Sequence, residues 1–416
     1  MNVIFVTIAY PRTSSESNLY TDLMEEFAEH GHRVYVVCSI EKRFGKATHL
    51  TETNGIQVLR VKTGDITSNP NYIAKGLALL QLQTQFIRAI KDNFSGVAFD
   101  LILYSTPPVQ YNRVIRFLKI KSKAVTYLLL KDIFPQNALD MGLFSKWNPA
   151  YWYFKRQEKK TYALSDHIGC MSPANVSYLL AHNPKLSPSK VGVCANSLKD
   201  RGPLDNEERI AIRSKIRKHF AIGKDEMLLI YGGNLGIAQG LSFLGEILKA
   251  YANNQQVRFL IVGEGTWFSR IEKSIQEVNA NNVLLYPRVS PVEFKELLIA
   301  SDIGLIFLNP RFTIPNFPSR LTSCLEIGLP VIACTDAVCD VGDIVAEAGC
   351  GYKVISGDLT GFKTIISNLI AMPGILEQKS VNARSLFERE YTTAKGYNVI
   401  MKSLATLRAV EDPRSG

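Results

Sequence analysis

Apolar residues follow two rhythms along this chain. Short β-branched and aliphatic runs alternate with longer stretches in which apolar positions recur at helical spacing, the signatures of buried strands and amphipathic helices. The runs 2–9 (NVIFVTIA), 33–39 (RVYVVCS), 56–62 (IQVLRVK), 100–104 (DLILY), 124–130 (AVTYLLL), 167–171 and 191–194 predict strands. Between them the periodicity predicts helices over 19–31, 72–92, 113–123, 149–163 and 173–182. Residues 198–208 (LKDRGPLDNEE) are polar, with Gly and Pro, and mark a boundary. The alternation then restarts. Strands are expected at 226–231, 257–262, 283–286, 303–308, 330–334 and 352–355. Helices are expected at 240–252, 267–279, 291–300, 319–327, 341–348 and 359–371, with a closing helical stretch over 375–409 and a frayed tail, EDPRSG.

Strand–helix alternation predicts parallel sheets covered by helices on both faces. The fold class is therefore α/β, with two tandem doubly wound, Rossmann-like domains. The first spans 1–200, the second 201–375, and a C-terminal helical segment, 376–416, is expected to pack back toward the first. Ligands of such sheets bind at the carboxyl ends of the strands, and two facing domains define a cleft.

The 416 residues suffice for two domains, and the hydrophobic content of 46% and charged content of 21% are those of a globular chain. The seven cysteines are scattered without a C-x-x-C, which points to reduced thiols rather than disulfides or zinc. The opening run lacks a basic leader and a small-residue cleavage site, so it reads as a first buried strand rather than a signal peptide. No apolar stretch is long enough to span a bilayer. A cytoplasmic protein is expected.

Charge changes the picture more. Residues 1–200 hold 24 Lys and Arg against 15 Asp and Glu, whereas residues 201–416 hold 24 against 23. Within 113–160 the count is 11 basic to 3 acidic. Such a surface suits an anionic partner, and equally a plain solvated face. Arg113, Arg116 and Lys119 recur every three residues beside Val114, Ile115 and Leu118, a basic stripe along an apolar helix face. The segment YWYFKR places Trp152 among four aromatics before Lys155 and Arg156. Aromatic rings and cations together suit a membrane interface, although core aromatics with snorkelling cations give the same pattern. No nucleic-acid-binding motif accompanies the charge.

Candidate chemistry lies at strand ends. Gly232-Gly233-Asn234-Leu235-Gly236 follows a strand, with Gln239-Gly240 leading into a helix. Glycines there let backbone N–H groups approach a phosphate, and an ordinary strand–helix turn looks the same. The run is not G-x-G-x-x-G, and the next strand, read as 257–262, ends without the acidic residue of a dinucleotide site. Gly263-Glu264-Gly265 forms a second turn on the same edge. Pro315-Asn316-Phe317-Pro318-Ser319-Arg320 puts an arginine at a helix start, where the dipole disfavours it unless an anion is present. Lys131-Asp132 follows the strand 124–130, and Asp132 suits a hydroxyl-binding or basic role as well as a cap. The six histidines include no H-x-x-x-H pair.

The segments MNVIFVTIAYP, HGHRV, DLILYSTPP, KDIFPQNALDMG, CMSPANV, CANSLKD, YGGNLGIAQGL, FLIVGEG, ASDIGLI, PNFPSRLTSCLEIGLPVIA and SGDL together resemble the GT-B glycosyltransferases of family 4. KDIFPQ and GNLGIAQGL are most similar to the bacterial branch that builds O-antigen and capsule repeat units, including WbuB-type N-acetylfucosamine transferases. The resemblance implies a nucleotide sugar held by the second domain and an acceptor reached through the first. It implies retention of anomeric configuration, and a diphosphate neutralised by protein cations and backbone amides with no metal and no other cofactor.

Three places depart from the family pattern. Asn234 and Gln239 are neutral where Arg and Lys are usual. Pro315 and Ser323 stand where the family carries a pair of glutamates, with Glu326 three residues further on and on a different helix face. Lys131-Asp132 replaces a usual histidine.

The expected activity is that of a hexosyltransferase. It moves a sugar from a nucleotide sugar, UDP-linked N-acetylated hexosamine or deoxyhexosamine, to a polyprenyl-diphosphate-linked saccharide. The expected place is the inner face of the cell membrane, peripherally bound, with no nucleic acid partner. Gly233, Asn234, Gln239, Gly263, Glu264, Arg288, Ser319 and Arg320 are assigned to the donor, with Arg320 as main cation and Lys131 or Arg288 as others. Asp132 and Glu326 are the catalytic candidates, and Arg113, Arg116, Lys119, Trp152, Lys155 and Arg156 face acceptor and membrane. The competing readings are a catalytically degenerate binding protein and a nucleotide-sugar 2-epimerase.

Overall fold

The computed structural model describes residues 1–11, 18–66, 72–252 and 254–411; part of the loop after the first strand and the end of the tail lie outside the described residues. The chain forms two compact units, Met1–Lys199 with Thr393–Gly416, and Asp200–Thr392.

The first unit runs β1 (Asn2–Val6), α1 (Leu19–Glu29), β2 (Arg33–Glu41), β3 (His49–Thr53), β4 (Ile56–Thr63), α2 (Tyr72–Asn93), β5 (Leu101–Thr106), α3 (Asn112–Ser122), β6 (Val125–Leu130), α4 (Gln136–Asp140), α5 (Pro149–Leu164), β7 (His167–Cys170), α6 (Pro173–His182) and β8 (Val191–Val193). Its eight strands lie in the order β3-β4-β2-β1-β5-β6-β7-β8. All neighbours are parallel except β3 with β4. Val3 to Val6 of the central β1 are fully buried, so this strand reads as a continuous apolar run rather than an alternation. The β3–β4 hairpin was not expected. Asn54 and Gly55 both take positive φ at its turn, the conformation that an Asn-Gly pair adopts readily.

The second unit runs α7 (Asn206–His219), β9 (Met227–Asn234), α8 (Leu241–Ala250), β10 (Val257–Glu264), α9 (Phe268–Glu277), β11 (Val283–Tyr286), α10 (Pro291–Ala300), β12 (Ile303–Phe307), α11 (Arg320–Glu326), β13 (Val331–Thr335), α12 (Val341–Glu347), β14 (Gly351–Ile355), α13 (Leu359–Ala371) and α14 (Ile375–Glu390). Six parallel strands lie in the order β11-β10-β9-β12-β13-β14. The order reverses between β9 and β12, the place where such sheets bind ligands. Helix α7 escapes hydrophobic periodicity because ion pairs attach it. Arg217 meets Asp302 at 3.2 Å, Arg213 pairs with the same carboxylate, and Asp205 caps the N-terminus.

The closing stretch is not one helix over 375–409. The helix is interrupted at Tyr391-Thr392, and α15 (Thr393–Glu411) belongs to the first unit. Thr393 Oγ1 donates to Glu26 at 2.6 Å and Tyr397 stacks on His30 at 4.0 Å. By contrast α14 stays with the second unit: Ser380 donates to the Gly328 carbonyl at 2.6 Å and Arg384 to that of Glu326 at 2.8 Å. The expected segment 376–416 is thus divided between the units.

Backbone proximity sets the shape of the second unit's binding edge. Gly263 pairs with Gly233 across β9 and β10, and a Cβ on Gly263 would lie 1.9 Å from the Gly233 carbonyl oxygen. A Cβ on Gly232 would lie 2.1 Å from the Phe294 ring. Both turns close only because these positions carry no side chain. Gly263→Ala should therefore force backbone apart from backbone, costing at least the ~1–3 kcal/mol of overpacking. A thermal melt is expected to show a lower Tm, and an unchanged Tm would contradict this close approach.

Candidate functional site

The second unit gathers its candidate residues at the carboxyl ends of β9, β10 and β12. Tyr231, immediately before the Gly-rich turn, is fully buried and donates its hydroxyl to the Asn234 carbonyl at 2.9 Å. The Arg320 guanidinium lies over the Tyr231 ring, 4.6 Å from its centroid, as a cation on an aromatic face. Arg320 Nη2 donates to Gln239 Oε1 at 2.7 Å. Its Nη1 is buried and has no hydrogen-bond partner among the described residues. A cation held by a ring and a neutral amide, with one nitrogen unsatisfied, is arranged to receive an anion. Nη2 also lies 3.5 Å from where a Gly233 Cβ would stand. The turn and the cation therefore border the same space. The structure brings Gly233, Asn234, Gln239 and Arg320 together and adds Tyr231, a strand aromatic that gives no sign in the sequence of which charge it supports.

Beside this lies a cavity of about 460 Å³ lined by Gly233, Glu264, Arg288, Val289, Pro291 and Phe294. A capping box fixes the start of α10, which supplies Pro291 and Phe294 to this lining. Ser290 Oγ accepts from the Glu293 amide at 3.2 Å, and the Glu293 carboxylate accepts from the Ser290 amide at 2.9 Å. Pro291 begins α10 and Phe294 projects from its first turn. Strand β10 continues through Glu264, so an acidic residue does end it, contrary to the sequence reading. Glu264 Oε1 accepts from Arg288 Nη1 at 3.0 Å in an exposed pair. Arg288 is thereby engaged by a carboxylate, which leaves Arg320 the more available cation.

Glu326 does not join these residues. Helix α11 starts at Arg320 and ends at Glu326, where Lys295 of α10 donates to the carboxylate at 2.7 Å. Six residues, about one and two-thirds turns of helix, separate the two, and the carboxylate expected to be catalytic is held in an ion pair. Ser319 stands exposed at the N-cap of α11 without a capping hydrogen bond.

In the first unit, Asp132 follows β6 and is half-buried. Its Oδ2 accepts from Asn137 Nδ2 at 2.7 Å, and its carbonyl accepts from Thr106 Oγ1 at 3.2 Å at the end of neighbouring β5. Burial raises its pKa to about 6, against hydrogen bonds from the Ile133 amide and Asn137 that lower it. Such a carboxyl exchanges a proton near neutral pH, as a general base or acid must. Burial likewise lowers the pKa of Lys131.

The basic face is sorted by the fold. Arg113 and Arg116 are exposed on α3, and Val114, Ile115 and Leu118 are buried beneath. Lys119 is instead committed to Asp166 at 2.6 Å, and Lys155 to the buried Glu158 at 2.6 Å. Both of these cations are thus engaged by carboxylates of the first unit. Arg156 and Trp152 are exposed, and Trp147, which sequence reading passed over, is 94% exposed. Leu143 and Tyr153 are exposed beside them in the chain. Among the described residues no single helix is long and apolar enough to cross a membrane, and no group of three or more His, Cys, Asp or Glu could hold a metal ion.

Residues 212–386 match the family of glycosyl transferases group 1. A Pseudomonas aeruginosa protein named as probable glycosyltransferase WbjE is 20% identical over 327 residues, 78% of this chain and 79% of the relative. A protein of Escherichia coli (strain K12) named as a colanic acid biosynthesis glycosyl transferase, WcaI, is 26% identical over 129 residues, 31% of each chain. The structure of Anabaena HepE in complex with UDP and glucose superposes with a TM-score of 0.70 at 15% identity, covering 98% of this chain and 100% of that one. The fold is GT-B, and the matches support a glycosyltransferase with relatives in bacterial polysaccharide biosynthesis.

The raised pKa of Asp132 has a stability consequence. Between the ordinary carboxyl value of 3.8 and about 6, the folded chain holds a proton that the unfolded chain has lost. Stability due to this group therefore falls as pH rises through that window. Asp132→Asn should raise Tm at about pH 7.5, and the gain should shrink toward about pH 4. A gain independent of pH would show that Asp132 carries no such strain.

Proposed function

We propose that this glycosyltransferase takes a sugar from UDP and attaches it, with retention at the anomeric carbon, to a polyprenyl-diphosphate-linked saccharide of a bacterial surface polysaccharide. The observation that carries the donor half is Arg320 Nη1, a buried guanidinium nitrogen with no partner among the described residues, beside a turn whose glycines bare their backbone. A diphosphate leaving group gains negative charge as the glycosidic bond breaks, and a fixed cation there stabilises the transition state more than the ground state. In this reading Arg320 supplies that charge without a metal. Gln239 orients Arg320, and the 460 Å³ cavity takes the nucleoside. HepE, captured with UDP and glucose, supports the choice of nucleotide, and WcaI supports the polysaccharide context. Asp132 binds or deprotonates an acceptor hydroxyl, which calls for its ionised form above about pH 6.

A purely structural relic is disfavoured by the same nitrogen, since an unneutralised, partly buried cation lowers stability and serves no purpose without an anion. Isothermal titration with UDP, GDP, CDP and dTDP should give a selective response to UDP. Arg320→Ala should weaken UDP binding by about 10- to 150-fold, the range for one charge-assisted hydrogen bond. Equal affinity in the variant would remove Arg320 from the site.

The acceptor half of the reading places the first unit on an anionic bilayer. Trp147 and Trp152 are large exposed rings, 94% and 60% accessible, followed along α5 by exposed Arg156, Lys159 and Lys160. Indoles favour the headgroup region, and the cations suit lipid phosphates. Vesicles containing phosphatidylglycerol should sediment the chain more than phosphatidylcholine vesicles do. Replacing both tryptophans with alanine should cut that binding at least severalfold. Undiminished sedimentation would move the contact elsewhere.

A further inference from the structure

We propose that Glu264 reads the ribose of the donor nucleotide and so restricts this chain to ribonucleotide sugars. The inference rests on the nucleotide reading above and assigns a specific contact within it. It starts from strand order. The sequence β11-β10-β9-β12-β13-β14 places the Gly-rich turn on the first strand and Glu264 at the end of the second. In sheets of this order, a carboxylate at the end of the second strand meets the ribose hydroxyls of a nucleotide whose phosphates lie on the first turn. Here register makes the juxtaposition tight: Glu264 is the direct neighbour of Asn234 across the ladder, and the Leu235 amide donates to the Glu264 carbonyl at 2.8 Å.

The cavity supplies the second observation. Val289, Pro291 and Phe294 line it with apolar surface that suits a flat base and offers a phosphate nothing. Arg320 and Gly233 border the phosphate end. Glu264 lines the same cavity as Gly233 and these apolar residues, so a nucleotide with its base on them and its diphosphate at Arg320 brings its ribose within reach of Glu264.

A carboxylate so near a diphosphate is repelled unless it accepts hydrogen bonds from the ligand. A ribose diol offers two donors and a deoxyribose one. Arg288 already holds Oε1 at 3.0 Å and thereby fixes the carboxylate, while no bond to Oε2 is found among the described residues. The two neutral positions, Asn234 and Gln239, cannot discriminate in this way because neither bears the charge that makes a hydroxyl contact strong.

The test is isothermal titration of the full chain with UDP and with 2′-deoxy-UDP. The wild type should bind UDP at least about tenfold more tightly, the factor for one hydrogen bond to a charged group. Glu264→Ala should bring the two affinities within about twofold of each other, and Glu264→Gln, which keeps the shape and loses the charge, should fall between. Because Glu264 is exposed, neither change threatens the fold. A UDP preference that survives in Glu264→Ala overturns this inference alone, as does a wild type that binds both equally. A wild type that binds no nucleotide diphosphate overturns the donor reading itself, and this inference with it.

Discussion

Two strands of the second unit end so close together that a side chain on Gly263 would drive them apart. Gly233 and Gly263 face each other at the carboxyl ends of β9 and β10, and their bare backbones allow both turns to fold over the same space. Everything else at this edge depends on that approach. Tyr231 fixes the first turn from below through the Asn234 carbonyl, and the same ring carries Arg320. Phe294 packs against Gly232 and thereby ties α10 to the turn. The binding edge is thus made by the omission of side chains at three positions and the concentration of aromatic surface beneath them.

The charge economy of the site follows from what the turn lacks. Asn234 and Gln239 are neutral, so positive charge at this edge comes from another element. Arg320 arrives from the start of α11 and is left with an unsatisfied nitrogen, while Arg288 is taken by Glu264 and Lys295 by Glu326. The same sorting governs the first unit. Of the basic residues on α3 and α5, Lys119 and Lys155 neutralise Asp166 and the buried Glu158, and Arg113, Arg116 and Arg156 stay exposed. Net positive charge is therefore not evenly available: a good part of it is internal bookkeeping between helices.

How far the sequence could be read depended on what holds each element. Strands such as β1, β5 and β6, and helices such as α3 and α8, are attached by apolar surface, and their periodicity is visible. Helix α7 is attached by arginines reaching Asp302, and periodicity does not see it. The β3–β4 hairpin was signalled by Asn54-Gly55, but its outer strand is too polar to register as a run. The break between α14 and α15 falls at Tyr391-Thr392, where no glycine or proline interrupts helical spacing. At the site, the Gly-rich turn, Arg320 and Asp132 were legible because each sits at a strand or helix end that local pattern identifies. The ion pair of Glu326 was not legible because its partner, Lys295, lies 31 residues away in sequence.

By itself, then, the sequence determined the class of fold, the presence of two Rossmann-like units, the boundary near residue 200 and the strand ends that carry the candidate residues. These follow from spacing and from glycine, which act locally. Only the tertiary structure decided which charges are free. An ion pair forms or fails to form according to distances across separate elements, and nothing in the order of residues distinguishes Lys119, spent on Asp166, from Arg116, exposed one turn earlier. The same reason separates Glu326 from Glu264. Both are acidic residues at the ends of elements, and folding carries one to a lysine on α10 and the other to the rim of the cavity.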